Sequence, residues 1–205
     1  MKNKKARFTT KWLTYTAMLT ALVVATTAIP PAPTPAGNVY WCDGMIFLAA
    51  YLLDPLASFI VGGLGTFLYD ICFGNAVMAP VSLVIHGLQG AAVSALLRFA
   101  FKKLPSKYEP VWAGISSLAG ALIVILGYFT FYWLIAPLVL TDKDYGISYA
   151  AVRIARNVIQ EVIGIAVAMA VCYATTLKKQ LSKSNLLPDF KREVIQSEER
   201  TEAAD

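Results

Sequence analysis

Several apolar runs of about 20 residues follow one another along the chain, and they constrain the fold more than any other feature. A helix needs about 20 apolar residues to cross the hydrocarbon core of a bilayer. Charged residues make up 15% of the 205 residues, whereas soluble domains carry about 25%. The sequence therefore predicts an all-α integral membrane protein with a single membrane domain.

We expect six membrane-spanning helices. The basic and apolar N-terminus is interpreted as a retained first span, because its apolar part is too long for an ordinary signal peptide. Residues 1–183 are expected to form the membrane domain, and residues 184–205 a polar, disordered cytoplasmic tail. The predicted spans are Phe8–Ile29, Gly44–Leu53, Leu56–Phe73, Ala79–Phe101, Val111–Pro137 and Tyr149–Leu177.

The second predicted span is only half as long as a bilayer requires. Short helices are tolerated where protein rather than lipid surrounds them. Asp54 and Pro55 follow this span, and they predict a tight turn that ends one helix and caps the next.

Lysine and arginine residues are concentrated at one side of the predicted bundle. They precede the first span and follow the fourth and sixth spans. The positive-inside rule therefore places both termini in the cytoplasm. This asymmetry accounts for the formal net charge of +5 without a nucleic-acid partner.

The sixth span carries polar residues that lipid would exclude. Arg153, Asn157 and Gln160 fall on one face of a helix, and Arg156 and Glu161 flank that face. A charge at the bilayer centre costs about 2.5–3.5 kcal/mol. The arginines could extend to lipid headgroups, and the deeper residues could form a structural network in which an arginine pairs with Glu161. Alternatively, the face lines an outward-opening pocket for a small polar molecule.

Further polar and aromatic residues could meet this face. Asp43 begins the second span, and Asp70 and Asn75 lie near the end of the third. His86, the only histidine, is followed by Gln89 in the fourth span. The fifth span contributes Tyr128, Tyr132 and Trp133, which form either a packing surface or a site for a flat ring.

No set of residues in the sequence indicates catalysis. The single histidine has no paired nucleophile, and there is no phosphate-binding glycine loop or metal motif. Cys42 and Cys72 could pair, although free thiols are favoured. We therefore expect neither an enzyme nor a cofactor in this chain.

Small residues in two spans predict close contacts between helices. Ala17, Ala21 and Ala25 recur every four residues in the first span, and Gly62, Gly63 and Gly65 cluster in the third. Such spacing lets another helix approach closely. The alanines could pack either within this chain or against a partner protein.

The chain resembles the substrate-binding S components of energy-coupling factor (ECF) vitamin transporters. The resemblance runs from about Thr10 to Leu177 and includes the alanine triplet, "CDGMIFLAAYLLDPLASFIVGGLGTFLYDICFG", "APVSLVIHGLQGAAVSALLR" and "RNVIQEVIG". It implies a six-helix bundle like that of the riboflavin-type S components, in a bacterial plasma membrane. It also implies a high-affinity site near the outer face, covered by the loop between the first two spans.

Partners and site residues follow from the same resemblance. Ala17, Ala21 and Ala25 would dock on a transmembrane T component, and two cytoplasmic ATPase subunits would use ATP. By motif match, Asn157, Gln160 and the segment that begins at Asp43 would line the substrate site. Because of their polar or aromatic character, we add as candidate contacts His86, Tyr128, Tyr132, Arg153 and Glu161.

The substrate depends on positions where this chain departs from the family pattern. The chain is nearest the pyridoxine and hydroxymethylpyrimidine branch, but many relatives carry lysine where this chain has His86. The paired arginines are a further departure, and they would suit an anionic vitamin such as pantothenate. Two different functions are also compatible with the sequence: a ligand-free structural subunit, and a small membrane enzyme that uses Glu161 and His86.

Overall fold

The computed structural model describes residues 9–73, 75–101, 108–140 and 145–174. These ranges contain a bundle of helices, with one isolated β-bridge between Ala32 and Val39. The principal helices are α1 (Thr10–Thr27), α2 (Cys42–Leu52), α3 (Pro55–Cys72), α4 (Ala79–Phe101), α5 (Glu109–Thr130) and α6 (Ile147–Met169). The all-α class is confirmed.

Two helices continue through π-helical turns. Helix α5 passes through Phe131–Ile135 and ends in the α-helical turn Ala136–Val139, and α6 continues through Ala170–Ala174. A π-turn inserts one extra residue, which rotates the side chains that follow it. Side chains before and after the π-turn of α5 therefore point in directions that one regular helix would not give.

Four of the described helices are long and apolar enough to cross a membrane. They are Pro55–Cys72, Ala79–Ala100, Glu109–Val139 and Ile147–Tyr173. Helix α2 is apolar but has 11 residues, and α1 is not among the four. The count of six spans and the cytoplasmic placement of both termini remain predictions, and the expected tail lies outside the described residues.

Helix α2 lies at the centre of the bundle. Every residue of this helix except Met45 is buried, and α1, α3, α4 and α6 all pack against it. Its Ile46 and Phe47 side chains are completely buried. The short helix is thus surrounded by protein, as the sequence predicts.

Asp54 links α2 to α3. Its Oδ1 atom accepts hydrogen bonds from the backbone N–H groups of Leu56 (3.0 Å) and Ala57 (3.2 Å). Pro55 occupies the first position of α3, where no N–H group is required. The predicted turn is confirmed, and the indole of Trp12 donates to Asp54 Oδ2 and ties α1 to this corner.

Glycines set the distances between α3 and its neighbours. A Cβ atom at Gly62 would lie 2.4 Å from the carbonyl oxygen of His86, and one at Gly63 would lie 2.6 Å from that of Leu83. A Cβ atom at Gly65 would meet Val23 of α1 at 2.6 Å. The predicted close helix contact is confirmed, and it brings the backbone of α3 against the segment of α4 that carries His86.

Helix α1 has one buried face and one exposed face. Ala17, Ala21 and Ala25 are exposed. Among the described residues, the alanine triplet is therefore not packed within the bundle. The buried face consists of Thr16, Thr20, Val23 and Thr27.

We predict that Gly63→Ala destabilises the protein, because the new methyl group would collide with the backbone of α4. Overpacking of this kind costs about 1–3 kcal/mol, which should lower the thermal unfolding midpoint in detergent. Gly114→Ala is the matched control, since a Cβ atom at Gly114 has nothing within 4 Å. Equal midpoints for the two variants would contradict the close contact between α3 and α4.

Candidate ligand-binding site

A cavity lies at the end of the bundle where α1 and α3 end and α4 and α6 begin. Its volume is about 70 Å³, smaller than the roughly 150 Å³ that holds one benzene ring in an engineered protein core. Even a single ring therefore requires side chains to move apart, and fused rings would require a larger displacement. The cavity is lined by Thr27, Tyr40, Cys42, Thr66, Tyr69, Asp70, Asn75, Met78, Ser82, His86, Tyr128, Tyr132, Arg156 and Gln160.

The loop between α1 and α2 forms one wall of the cavity. Ala32 and Val39 exchange two backbone hydrogen bonds of 3.0 and 2.9 Å. Gly37 at the tip has a φ of 116°, which favours glycine. At the base, the backbone N–H of Tyr40 donates to Gln160 Oε1 over 2.9 Å. The loop is thus a hairpin held on α6 by Gln160.

A polar cluster joins three helices beneath the cavity. The amide nitrogen of Gln89 donates to Asp43 Oδ1 (3.2 Å) and to Glu161 Oε2 (2.9 Å). All three side chains are at most 1% exposed. A buried carboxylate is costly unless hydrogen bonds satisfy it. Gln89 therefore holds α2, α4 and α6 together at this level, while Glu161 Oε1 has no hydrogen-bond partner among the described residues.

Asp43 also contacts the polar face of α6. The amide nitrogen of Gln160 donates to Asp43 Oδ2 over 2.6 Å. Gly164 permits this approach, because a Cβ atom there would lie 2.7 Å from the Cβ of Asp43. The predicted polar face of α6 thus points into the bundle and against the start of α2.

His86 connects the polar cluster to the cavity. Its Nδ1 atom lies 2.9 Å from Gln89 Oε1 and 3.3 Å from Asp43 Oδ1. Its Nε2 atom lies 3.2 Å from the Tyr128 hydroxyl, which is 3.1 Å from Ser82 Oγ. A continuous chain of hydrogen bonds therefore runs from the cluster to two hydroxyl groups in the cavity wall.

The two arginines of α6 occupy different environments. Arg156 is buried at the cavity wall, where its Nε and Nη2 atoms donate to Asn157 Oδ1 over 3.1 and 2.8 Å. Arg153 donates to the Tyr149 hydroxyl and lies over that ring, and it packs against Gly37 at the loop tip. Of the two, Arg156 is therefore the one placed to meet a molecule in the cavity.

The structure separates the eight predicted site residues into three groups. His86, Tyr128, Tyr132 and Gln160 line the cavity. Asp43 and Glu161 lie beneath it, and Asn157 holds Arg156. Arg153 lies under the loop and outside the cavity lining.

Three further expectations about this region are resolved by the structure. Neither arginine bonds to Glu161, which instead accepts from Gln89. Trp133 does not join Tyr128 and Tyr132 in the cavity wall, since it is 43% exposed and packs against Phe129. Cys42 and Cys72 are free thiols.

Several cavity residues were not among the predicted site residues. Arg156, Asp70 and Asn75 had a signal, because charged or amide side chains at these positions are unusual in a span or its edge. Thr66 and Ser82 carry no such signal, because hydroxyl side chains often bond to their own helix backbone. The loop residue Tyr40 could be placed only once the hairpin was known.

Comparisons with known proteins agree with this architecture. The sequence matches the family described as "ECF-type riboflavin transporter, S component" over residues 7–179. The thiamine precursor transporter HmpT of Lactococcus lactis subsp. cremoris is 26% identical over 185 residues, which cover 89% of this chain and 94% of that protein. An uncharacterized protein of Pyrococcus woesei is 29% identical over 161 residues, which cover 78% of this chain and 96% of that protein.

A solved structure shows the same fold. The S component of a bacterial ECF transporter superposes with a TM-score of 0.56 at 22% identity, and the match covers 80% of this chain and 94% of that chain.

We predict that Gln89→Leu lowers the thermal unfolding midpoint more than Ser94→Ala does. The first change removes a donor from two buried carboxylates, whereas the second removes one neutral hydrogen bond to Leu53. An unsatisfied buried polar group costs about 1–3 kcal/mol, and more when it is charged.

A double variant provides the internal control. Adding Glu161→Leu to Gln89→Leu removes the carboxyl group that has lost its Gln89 donor, whereas Asp43 keeps Gln160 and His86, so the double variant should recover part of the lost midpoint. Purely additive losses would show that Gln89 does not satisfy Glu161.

Proposed function

Because the chain belongs to the family of ECF-type riboflavin transporter S components, we propose that it binds a single-ring heteroaromatic vitamin or vitamin precursor of the pyridoxine or hydroxymethylpyrimidine type. Family membership makes the chain a multi-pass subunit of a membrane transporter and not an enzyme. The proposal concerns which molecule it selects, where it binds and how it is delivered.

The tyrosine-rich lining of the cavity carries the proposal. Tyr40, Tyr69, Tyr128 and Tyr132 all contribute to the wall, and aromatic side chains pack favourably against a flat ring. Asp70, His86 and Gln160 add donors and acceptors around the same space. A small ring with hydroxyl, amino or ring-nitrogen groups matches this combination.

The size of the cavity and one relative support the same class. A volume of about 70 Å³ suits one ring far better than the three fused rings of riboflavin. The L. lactis relative is named a thiamine precursor transporter, and hydroxymethylpyrimidine is the pyrimidine half of thiamine.

An anionic vitamin such as pantothenate is the second candidate, and Arg156 is the observation that favours it. A guanidinium group has five N–H donors, and the two contacts to Asn157 use two of them. A carboxylate or phosphate in the cavity could therefore receive a charge-assisted hydrogen bond. Asp70 in the same wall opposes a purely anionic ligand.

We further propose that the chain captures its ligand at the outer face and works with a T component and two ATPase subunits. In this arrangement ATP is used by the partner subunits, and this chain needs no cofactor. The exposed alanines of α1 form a smooth strip between Leu13, Met18 and Leu22, which are 63%, 62% and 40% exposed. A partner helix can approach such a strip closely.

Calorimetric titration of the purified chain with hydroxymethylpyrimidine, pyridoxine, riboflavin and pantothenate tests the ligand class. We expect one of the single-ring compounds to bind at least about a hundredfold more tightly than riboflavin, because fused rings would require a larger displacement of the cavity wall. Tighter binding of pantothenate would support the anionic alternative. Absence of binding by every compound would favour a structural subunit.

The two arginines serve as a matched pair in the same titration. Arg156→Gln should weaken binding by about tenfold or more, since it removes a donor from the cavity wall. Arg153→Gln should leave the affinity within about threefold of the wild type, since it contacts the loop and not the cavity. The reverse pattern would place the ligand under the loop tip instead.

Ala17→Leu combined with Ala21→Leu should abolish uptake and leave ligand binding intact, because bulky side chains would block the approach of a partner helix. The measurements are uptake by cells that contain the whole transporter, and calorimetry on the isolated chain. Ala151→Leu with Ala155→Leu is the control, because these alanines have the same spacing on an exposed part of α6. Equal loss of uptake in both variants would contradict the docking face.

A further inference from the structure

The hydrogen-bond chain in the cavity wall starts at the Asp43 carboxylate, and a second carboxylate, that of Asp70, lines the same cavity. Asp43 lies beside His86, and Asp70, which accepts a hydrogen bond from the Asn75 amide over 3.2 Å, shares the cavity wall with Ser82. From His86 the chain runs through the Tyr128 hydroxyl and Ser82 Oγ, each of which can donate or accept. The direction of these hydrogen bonds decides where the cavity wall presents a donor to a ligand and where it presents an acceptor.

The orientation of the Gln89 amide determines whether His86 Nδ1 carries a hydrogen. The Gln89 amide nitrogen faces two carboxylate oxygens and must be the donor there, so its carbonyl oxygen faces His86. Nδ1 therefore lies between two acceptors, Gln89 Oε1 and Asp43 Oδ1. Only a protonated Nδ1 satisfies both contacts.

The surrounding charges favour a second proton on Nε2. Asp43 is 1% exposed, and a buried carboxylate is strongly destabilising unless a positive group pairs with it. His86 lies 3.3 Å from Asp43 Oδ1. The remaining titratable groups near the ring are Asp70 on α3, Glu161 on α6 through Gln89, and Arg156 at the far wall. Acidic groups therefore outnumber basic ones around the imidazole.

A doubly protonated His86 fixes the direction of each hydrogen bond between His86, Tyr128 and Ser82. Nε2–H donates to the Tyr128 oxygen, so the Tyr128 hydrogen points towards Ser82 and the cavity. Ser82 Oγ accepts this hydrogen, and Asp70, whose carboxylate is an acceptor, lines the same cavity. The cavity wall therefore presents a donor at Tyr128 and an acceptor at Asp70.

We propose that this oriented hydrogen-bond chain selects ligands by the hydrogen-bonding groups on one edge of the ring. Tyr128 donates to an acceptor such as a ring nitrogen, and Asp70 accepts from a neighbouring amino or hydroxyl group. His86 is a positioning residue that acts through Tyr128. This inference rests on the proposed function and narrows its substrate class to heterocycles that place an acceptor next to a donor.

Two pyrimidines with opposite arrangements of donor and acceptor test this selection directly. In 4-amino-5-hydroxymethyl-2-methylpyrimidine, a ring nitrogen accepts beside a donating amino group. In the 4-oxo analogue the same edge is inverted, with a donating ring N–H beside an accepting carbonyl. We expect the wild-type chain to bind the amino compound at least about a hundredfold more tightly, because the oxo compound mismatches two buried groups. Equal affinities, or a preference for the oxo compound, would overturn the inference and leave the proposed ligand class standing.

Variants of two buried tyrosines provide the matched control. Tyr128→Phe removes the proposed donor and should weaken binding of the amino compound by about tenfold. Tyr51→Phe removes a buried hydroxyl whose oxygen lies 2.6 Å from Ser117 Oγ. Neither Tyr51 nor Ser117 belongs to the cavity lining, so this variant should not change the affinity. Equal effects of the two variants would show that Tyr128 acts only through stability.

The direction of the hydrogen bonds that start at His86 can be measured without any ligand. His86 is the only histidine in the sequence, so ¹⁵N-histidine labelling gives NMR signals from one imidazole. We expect both ring nitrogens to be protonated at neutral pH in the wild-type chain. An unprotonated Nε2 would overturn the orientation even if a pyrimidine binds, whereas failure of all pyrimidines to bind a chain with a doubly protonated His86 would count against the proposed function alone.

Discussion

The burial of one carboxylate, that of Asp43, is the constraint on which the rest of the structure depends. It lies in the first turn of α2, where the helix dipole favours a negative charge. Side chains from α4 and α6 supply its donors. Helix α2 can therefore remain short and buried, because its polar end is satisfied by protein and needs no contact with water.

The close approach of the helices is the condition for this arrangement. Gly164 lets α6 reach Asp43, and Gly62 and Gly63 let α3 press against α4 beside His86. Larger side chains at these positions would separate the donors from the carboxylate. In a membrane, where apolar side chains gain little by leaving lipid, such backbone contacts are a main source of helix association.

Much of the fold was predictable, because lipid excludes charge and unpaired backbone groups. Span length, the Asp54 turn and the inward face of α6 follow from that exclusion. The division between Arg153 and Arg156 did not follow from it. Both residues are compatible with a position near the membrane surface, and both pack near Gly37. Their guanidinium groups differ in partner, since Arg153 donates to Tyr149 and Arg156 donates to Asn157 at the cavity wall. Ser82 escaped prediction because its importance depends on its contact with Tyr128, which belongs to a different helix.

Trp133 shows that closeness in sequence to two cavity residues does not place a side chain in the cavity. On a regular α-helix Trp133 lies about 140° around the axis from Tyr128, so it already points away from the cavity, and the π-turn at Phe131–Ile135 adds a further change of direction. The same turn divides α5 into two parts that face their surroundings independently. One inserted residue therefore gives the last turns of α5 a rotation of their own, with no change in how the preceding turns pack.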